Sequence, residues 1–359
     1  MSHEKESQAW DILNSCIGED GIWADPTRYQ WQCWTRDFAI AILPFLLQKR
    51  IHLDVVRKHL HNLSELQQPN GQIPIVFIDR VHEKEWVAAK EEKARANGKP
   101  SFMLERHKSG QLWNLTPGTR DSEILYLLAM YEYVQATGDD AFLYSHRSSV
   151  DAALRFIQDN LVKENGLVIG CDWRDTMEAE LGNKQLLTNN CLLYRVYTLM
   201  EQVDYSVNHA PQLKAAILSH LCPGGTFIDY VGSNDFDPLG ASFAVLFGIA
   251  GSEHTPNLLK SFASVDTPYG VTIRCKHNPL DEKERVMIED TQGIVVWPFV
   301  IGFTVLALRK LGVVDVADAQ YRKLISLSGF REYYDPRTGE GYGAAAQTWS
   351  SVLYLRCLL

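Results

Sequence analysis

Positive charge is what this chain of 359 residues lacks first: 44 acidic against 35 basic residues leave a net charge of −9. That balance argues against nucleic acid as a partner, because phosphate binding needs clustered Lys and Arg. No run of about eighteen apolar residues occurs, so no helix is expected to span a membrane. The N-terminus, MSHEKESQAW, is polar and carries no apolar signal region. The seven cysteines (16, 33, 171, 191, 222, 275 and 357) are odd in number, scattered and without a CxxC pair. Neither a zinc knuckle nor a disulfide framework is indicated, and a reducing cytoplasm is the expected compartment. Eleven histidines include no HExxH or paired-ligand spacing, so neither a metal nor another cofactor is expected. Exact repeats are missing too, which disfavours an open solenoid.

Helical periodicity is what the chain does have. A hydrophobic fraction of 46% with 22% charged residues can bury a sizeable core. Amphipathic or apolar helical segments are expected at about 5–17, 38–48, 53–66, 121–137, 147–161, 187–203, 211–221, 239–250, 256–262, 291–311, 314–327 and 345–358. Strand signals are few; Gly71–Ile78 reads as a short extended piece after an Asn-Gly turn. Residues 81–112 are highly charged and low in branched apolar side chains. They read as an exposed helix and loop, either a lid or a plain solvated excursion. About twelve helices paired through alternately short and long loops suit an all-α, closed ring of helical hairpins. The whole of 1–359 then forms one domain, with long loops collected at one mouth, where binding and catalytic groups tend to lie. The oligomeric state is not legible.

Three long loops carry chemistry. In YQWQCWTRDFAIAILPFLL (29–47), Trp31 and Trp34 precede Arg36-Asp37 at a helix start. Asp37 could be a plain helix N-cap; equally, a guanidinium fork beside a carboxylate can clamp sugar hydroxyls. In GLVIGCDWRDTM (166–177), Asp172 and Asp175 enclose Trp173-Arg174. A carboxylic acid against an indole face can have its pKa raised, as a general acid requires. In REYYDPRTGEGYGAAAQTWS (331–350), Glu332 precedes two tyrosines and an Asp-Pro-Arg-Thr-Gly turn. Gln347 and Thr348 then offer polar groups ahead of Trp349. A partly desolvated Glu332 on such a loop can act as a general base, and aromatic faces suit sugar rings. The alternative is a solvated acid on a surface turn.

These stretches resemble, in order from about residue 29 to the end, the six-hairpin glycosidases. That superfamily takes in glucoamylase, glycogen-debranching amylo-α-1,6-glucosidases, trehalase, processing α-glucosidases and neutral/alkaline invertase. CWTRDFAIAI (33–42) is similar to the Trp-Thr-Arg-Asp segment of glucoamylases and to the Arg-Asp-Phe segment of neutral invertase. TPGTRDSEILYLLAMYEYVQATGDDAF (116–142) resembles the family's aromatic-rich helix ending in Thr-Gly-Asp. VVWPFVIGF (295–303) resembles the Trp-Pro helix start near the base, and REYYDPRTGEGYGAAAQTWS is similar to the Glu-Tyr-Tyr-Asp…Gln-Thr-Trp-Ser segment of invertases.

The resemblance implies an (α/α)6 toroid and single-displacement hydrolysis with inversion, the two carboxyls standing about 6.5–9.5 Å apart. It implies Glu332 as general base and Asp172 as general acid, with Arg36 and Asp37 holding the terminal sugar. Trp34, Trp173, Trp297 and Trp349 become pocket walls, each with the alternative of a core aromatic. Arg174 and Gln347 join the substrate-binding candidates. One departure bears on the acid: glucoamylases place Glu directly after the loop tryptophan, where Arg174 stands here. Alignment on that tryptophan favours Asp175; alignment on Gly-x-Asp favours Asp172, which is preferred. A second departure is length, which leaves no room for the β-sandwich many relatives carry in front. The substrate class implied is an α-glucoside, cleaved exo, with sucrose as the close alternative. A sugar epimerase or isomerase on the same ring would work through histidines, and His107 and His277 are the candidates to approach the mouth. A sugar-binding protein with a dead site is disfavoured by the presence of both acids.

Overall fold

The computed structural model describes residues 2–97, 105–106, 111–114, 121–203, 209–276 and 279–359. Twelve helices build its frame: α1 (Ser2–Ser15), α2 (residues 35–49), α3 (Leu53–Glu65), α4 (Ser122–Thr137), α5 (residues 147–161) and α6 (Leu187–Gln202). The second half supplies α7 (Ala210–His220), α8 (Pro238–Leu246), α9 (Thr255–Ser264), α10 (Pro298–Lys310), α11 (Val314–Ser326) and α12 (Thr348–Cys357).

Even and odd helices differ in what they bury. In α4, α8, α10 and α12 side chains are buried nearly all round, Ile124 to Tyr131 without a break. A helix apolar on every face must be surrounded. The odd helices are one-sided: α3 buries Val55, Val56, Leu60 and Leu63 at helical spacing and leaves Arg57, Lys58 and His61 outside. The even helices touch one another in cyclic order, α2 to α4, α6, α8, α10, α12 and back to α2. The odd helices pack outside them, α1 on α12, α5 on α4, α7 on α6 and α11 on α10. This is the closed (α/α)6 toroid. Lys5 of α1 helps seal it by donating from Nζ to the carbonyls of Leu324, Ile325 and Leu327 at 3.2, 2.8 and 2.5 Å. Those are open acceptors at the α11 C-terminus, where a cation is favoured.

Inner helices start at the mouth and end at the floor. In α2 a π turn, Phe38–Ile42, sits just ahead of Pro44, which has no N–H to give the carbonyl four residues back. Two small sheets cap the mouth. β1 (Gln32–Trp34), β2 (Val76–Ile78), β3 (Glu105–Arg106) and β4 (Leu112–Asn114) run in the order β1-β2-β4-β3. β5 (Asp266–Thr267), β6 (Gly270–Arg274), β7 (Ile294–Val296), β8 (Tyr333–Tyr334) and β9 (Gly341–Tyr342) form an antiparallel meander. The expected helix at 291–311 therefore begins only at Pro298. Val295 and Val296, β-branched, pair with β6 instead, and Pro at N1 suits a helix start. The charged excursion contains a helix, Glu83–Asn97. Among the described residues no helix is long and apolar enough to cross a membrane. No group of three or more metal-ligating side chains occurs among them either.

Candidate active site

The loops that precede α2, α6, α10 and α12 surround a cavity of about 350 Å³ at the mouth. Arg28, Tyr29, Trp34, Arg36, Asp37, Trp173, Asp175, Trp297, Glu332, Gln347 and Trp349 line it, with Lys90 from the excursion helix and Leu280 at its edge. Sequence positions 28 and 332 meet because both ends of the chain are stitched together. Thr348 N–H donates to the Ala24 carbonyl at 2.9 Å, and Thr348 Oγ1 to that of Trp23 at 3.1 Å. Asp25, fully buried, makes the same join with its side chain. Its Oδ1 accepts from Thr27 N and Oγ1 and from Arg28 N, while Oδ2 accepts from Ala346 N.

Glu332 is held on three sides. Its Oε2 accepts from Ala344 N at 2.7 Å and Arg28 Nη1 at 3.2 Å, and its Oε1 accepts from Tyr29 Oη at 3.1 Å. Burial raises its pKa; Arg28, the Ala344 N–H and the tyrosine pull the other way, and the net direction is upward. Gly343, at φ +70°, lies directly against the Glu332 carboxylate, so a Cβ there would collide with it. Such a carboxylate, oriented but still lining a cavity, fits a base acting on water.

Arg36 is bidentate to Asp121, Nε to Oδ2 at 2.6 Å and Nη2 to Oδ1 at 3.1 Å. Its Nη1 stands 3.6 Å from Asp175 Oδ2. Burial would lower the Arg36 pKa, but Asp121 and then Asp175 raise it overall. Asp37 is no N-cap: it sits inside the first turn, where Oδ1 accepts from Gln347 Nε2 at 2.9 Å. Burial raises the Asp37 pKa to about 7, against the pull of Arg36 and with a further push from Glu332.

The two middle-loop aspartates part company. Asp172 is fully buried, and both its oxygens are spent on Arg174: Oδ1 accepts from N and Nε at 3.0 Å, Oδ2 from Nη2 at 2.9 Å. Arg174 also grips Asp229 through Nη1 and Nη2 at 2.8 and 2.7 Å. Asp172 and Arg174, both singled out in the sequence, do not line the cavity. Asp175 does, with 31% of its side chain exposed. The Arg174 clamp fixes the loop so that the next residue faces inward.

Trp34, Trp173, Trp297 and Trp349 all line the cavity. Trp173, Trp297 and Trp349 meet edge to face, with centroids 5.1 to 6.3 Å apart, and Tyr29 meets Trp34 at 5.9 Å. Indole N–H groups of Trp34, Trp173 and Trp349, and Gln347 Oε1, are buried without a hydrogen-bond partner among the described residues. Each such orphan costs on the order of 1–3 kcal/mol, and a polyhydroxylated ring in the cavity offers both donors and acceptors to them. No histidine is among the described lining residues; His107 and His277 lie outside the described residues. Arg28, Tyr29, Asp25 and Asp121 escaped the sequence reading. Arg28 and Tyr29 adjoin the Trp-Thr-Arg-Asp segment, but only ring closure shows what they touch.

Known proteins resemble this chain in one stretch of sequence and in its whole fold. The family model for the mannosylglycerate hydrolase MGH1-like glycoside hydrolase domain matches residues 295–350. The mannosylglycerate hydrolase of Rubrobacter radiotolerans is 36% identical over 67 residues, 18% of this chain and only 15% of the relative's length. The fold matches throughout. The GH63 mannosylglycerate hydrolase of Thermus thermophilus, solved in complex with glucose, superposes with a TM-score of 0.67 at 13% identity, covering 98% of this chain and 99% of that one. A structure described as wild-type glycosidase gives 0.65 at 14% identity, covering 99% and 95%. The chain thus has the six-hairpin (α/α)6 fold along its whole length, and its segment around Trp297 and Glu332 is similar in sequence to the mannosylglycerate hydrolase MGH1-like glycoside hydrolase domain.

Proposed function

We propose that this chain is an exo-acting, inverting glycoside hydrolase of small α-glycosides, with Glu332 as general base and Asp175 as general acid. The observation that carries it is the pairing of these two carboxylates, from opposite halves of the sequence, in one indole-walled cavity. Glu332 takes a proton from a water that attacks the anomeric carbon. Asp175 gives its proton to the departing glycosidic oxygen, and the anomeric configuration inverts. Asp37, Gln347, Arg36 and the orphan indole N–H groups hold the ring. Asp172 acts at one remove, by fixing Arg174 and the loop that presents Asp175.

A cavity of about 350 Å³ is at the small end for ligand sites, which favours one pyranose and a short aglycone over a glucan chain. Lys90 and Arg28 in the lining suit an aglycone that bears a carboxylate. The relatives' names point the same way, so a glycosylglycerate of mannose or glucose is the first substrate to try. Maltose, isomaltose, trehalose, sucrose and glycogen limit dextrin test the α-glucosidase and invertase alternatives. Release should be assayed on this panel with NMR of the first-formed anomer. Glu332→Gln and Asp175→Asn should each lower kcat by roughly 10²–10⁴-fold. Retained configuration, or full activity in either variant, overturns the assignment.

A further inference from the structure

The floor of the barrel holds a second cavity, about 460 Å³, opposite the mouth and lined by residues of all six inner helices. Its walls are apolar: Leu47 of α2, Leu128 of α4, Leu192 of α6, Phe243 of α8, Phe247 just beyond it and Phe303 of α10. Three charged side chains enter it. Glu132 is taken by Arg195, whose Nε donates to Oε1 at 2.8 Å. Arg356, in the last turn of α12, has no carboxylate or carbonyl partner among the described residues. Its guanidinium carbon lies 5.9 Å from the Phe303 ring centroid. Burial lowers the pKa of Arg356, with Glu132 acting the other way too weakly to offset it.

Closing a helix C-terminus with a cation is ordinary and accounts for the sign of Arg356. It does not account for an apolar hollow of ligand size beneath that charge. Partly desolvated guanidinium groups are normally satisfied by carboxylate or phosphate in a bidentate fork. The hollow around this one is lined mainly by rings and aliphatic side chains, with Gln48 and the Arg195–Glu132 pair as its other polar groups.

We propose that the barrel floor binds an amphipathic anion, its acidic head on Arg356 and its alkyl or aryl body against Phe243, Phe247 and Phe303. The complementarity is of charge and of surface together: one net positive charge among Arg195, Glu132 and Arg356, set at the rim of an apolar chamber. The site is separate from the mouth cavity, with which it shares no lining residue.

Octanoate, octyl sulfate and neutral 1-octanol serve as probes, followed by titration calorimetry and by thermal shift of the full chain. Octanoate or octyl sulfate should bind and raise Tm, whereas octanol should bind more weakly by roughly tenfold or more, the worth of one charge-assisted hydrogen bond. A carboxylate-selective response against a sulfate-selective one distinguishes the two head groups. Arg356→Met keeps the stem packing and should lose roughly tenfold in affinity for the anions alone. Ala136→Trp, at the exposed rim of the cavity, should block all three probes without touching Arg356. Equal binding of octanol and octanoate, anion binding unchanged in both variants, or no anion binding by wild type up to about 10 mM would overturn the proposal.

Discussion

Replacing Asp37 by Asn should make the protein more stable and less active, and the gain should grow with pH. Asp37 is 6% exposed, and burial raises its pKa from 3.8 to about 7. The folded state thus holds a proton that the unfolded chain releases between those values. The contribution of Asp37 is harmless below pH 3.8, becomes increasingly destabilising as pH rises from 3.8 to about 7, and levels off above that. At about 1.4 kcal/mol per unit, the cost is roughly 2 kcal/mol at pH 5 and roughly 4 kcal/mol at pH 8. Asn keeps an Oδ1 to accept from Gln347 Nε2 and removes only the charge. For a chain this long, about 4 kcal/mol corresponds to a Tm increase of about 5 °C, and about 2 kcal/mol to about 2 °C. Differential scanning calorimetry of both proteins at pH 5 and pH 8 reads the difference. A variant less stable than wild type at pH 8, or a Tm difference that does not change with pH, refutes the reasoning. The same variant should bind glycoside poorly, since the charge kept at that cost is the one that would accept sugar hydroxyls.

Gly343→Ala should cost about 1–3 kcal/mol from its φ of +70° and should lower kcat further than stability explains, because the new Cβ displaces the Glu332 carboxylate; kinetics beside urea unfolding would separate the two. Asp25→Asn leaves one acceptor where two are used, so either Arg28 N or Ala346 N loses its partner. A destabilisation of about 1–3 kcal/mol should accompany a lower kcat with KM nearly unchanged, checked by denaturation and steady-state rates. Asp172→Asn should differ in kind from Asp175→Asn. It breaks a buried pair and should unfold the protein about 3–5 kcal/mol more easily, whereas Asp175→Asn should fold normally and be slow, as thermal melts and turnover would show.

The sequence by itself determined the helical ring. Periodicity is a local property, and the all-apolar faces of Ile124–Tyr131 or Phe299–Leu308 announce helices that must be enclosed on every side. The motif segments around Arg36-Asp37, Trp297 and Glu332 were legible for the same reason: each is contiguous, and a glycine, proline or aromatic at fixed spacing carries its own geometric meaning. The short strands were less legible. Val295-Val296 follows its neighbours in β6 and β8 rather than its apolar run into α10, and such pairing is non-local.

Only the tertiary structure decided which acid faces the cavity. Asp172 and Asp175 are three residues apart, of one residue type and flank the same tryptophan, so no local signal separates them. What separates them is Asp229, 55 residues from Arg174 and bound to it at 2.7 Å. A guanidinium anchored from that side turns its remaining edge onto Asp172 and leaves Asp175 to the cavity. Likewise Arg28 and Tyr29 become partners of Glu332, more than 300 residues away, only once the first and last helices close the ring. Burial and charge at the site depend on which distant segments meet, and that is settled by closing the ring, not by reading along the chain.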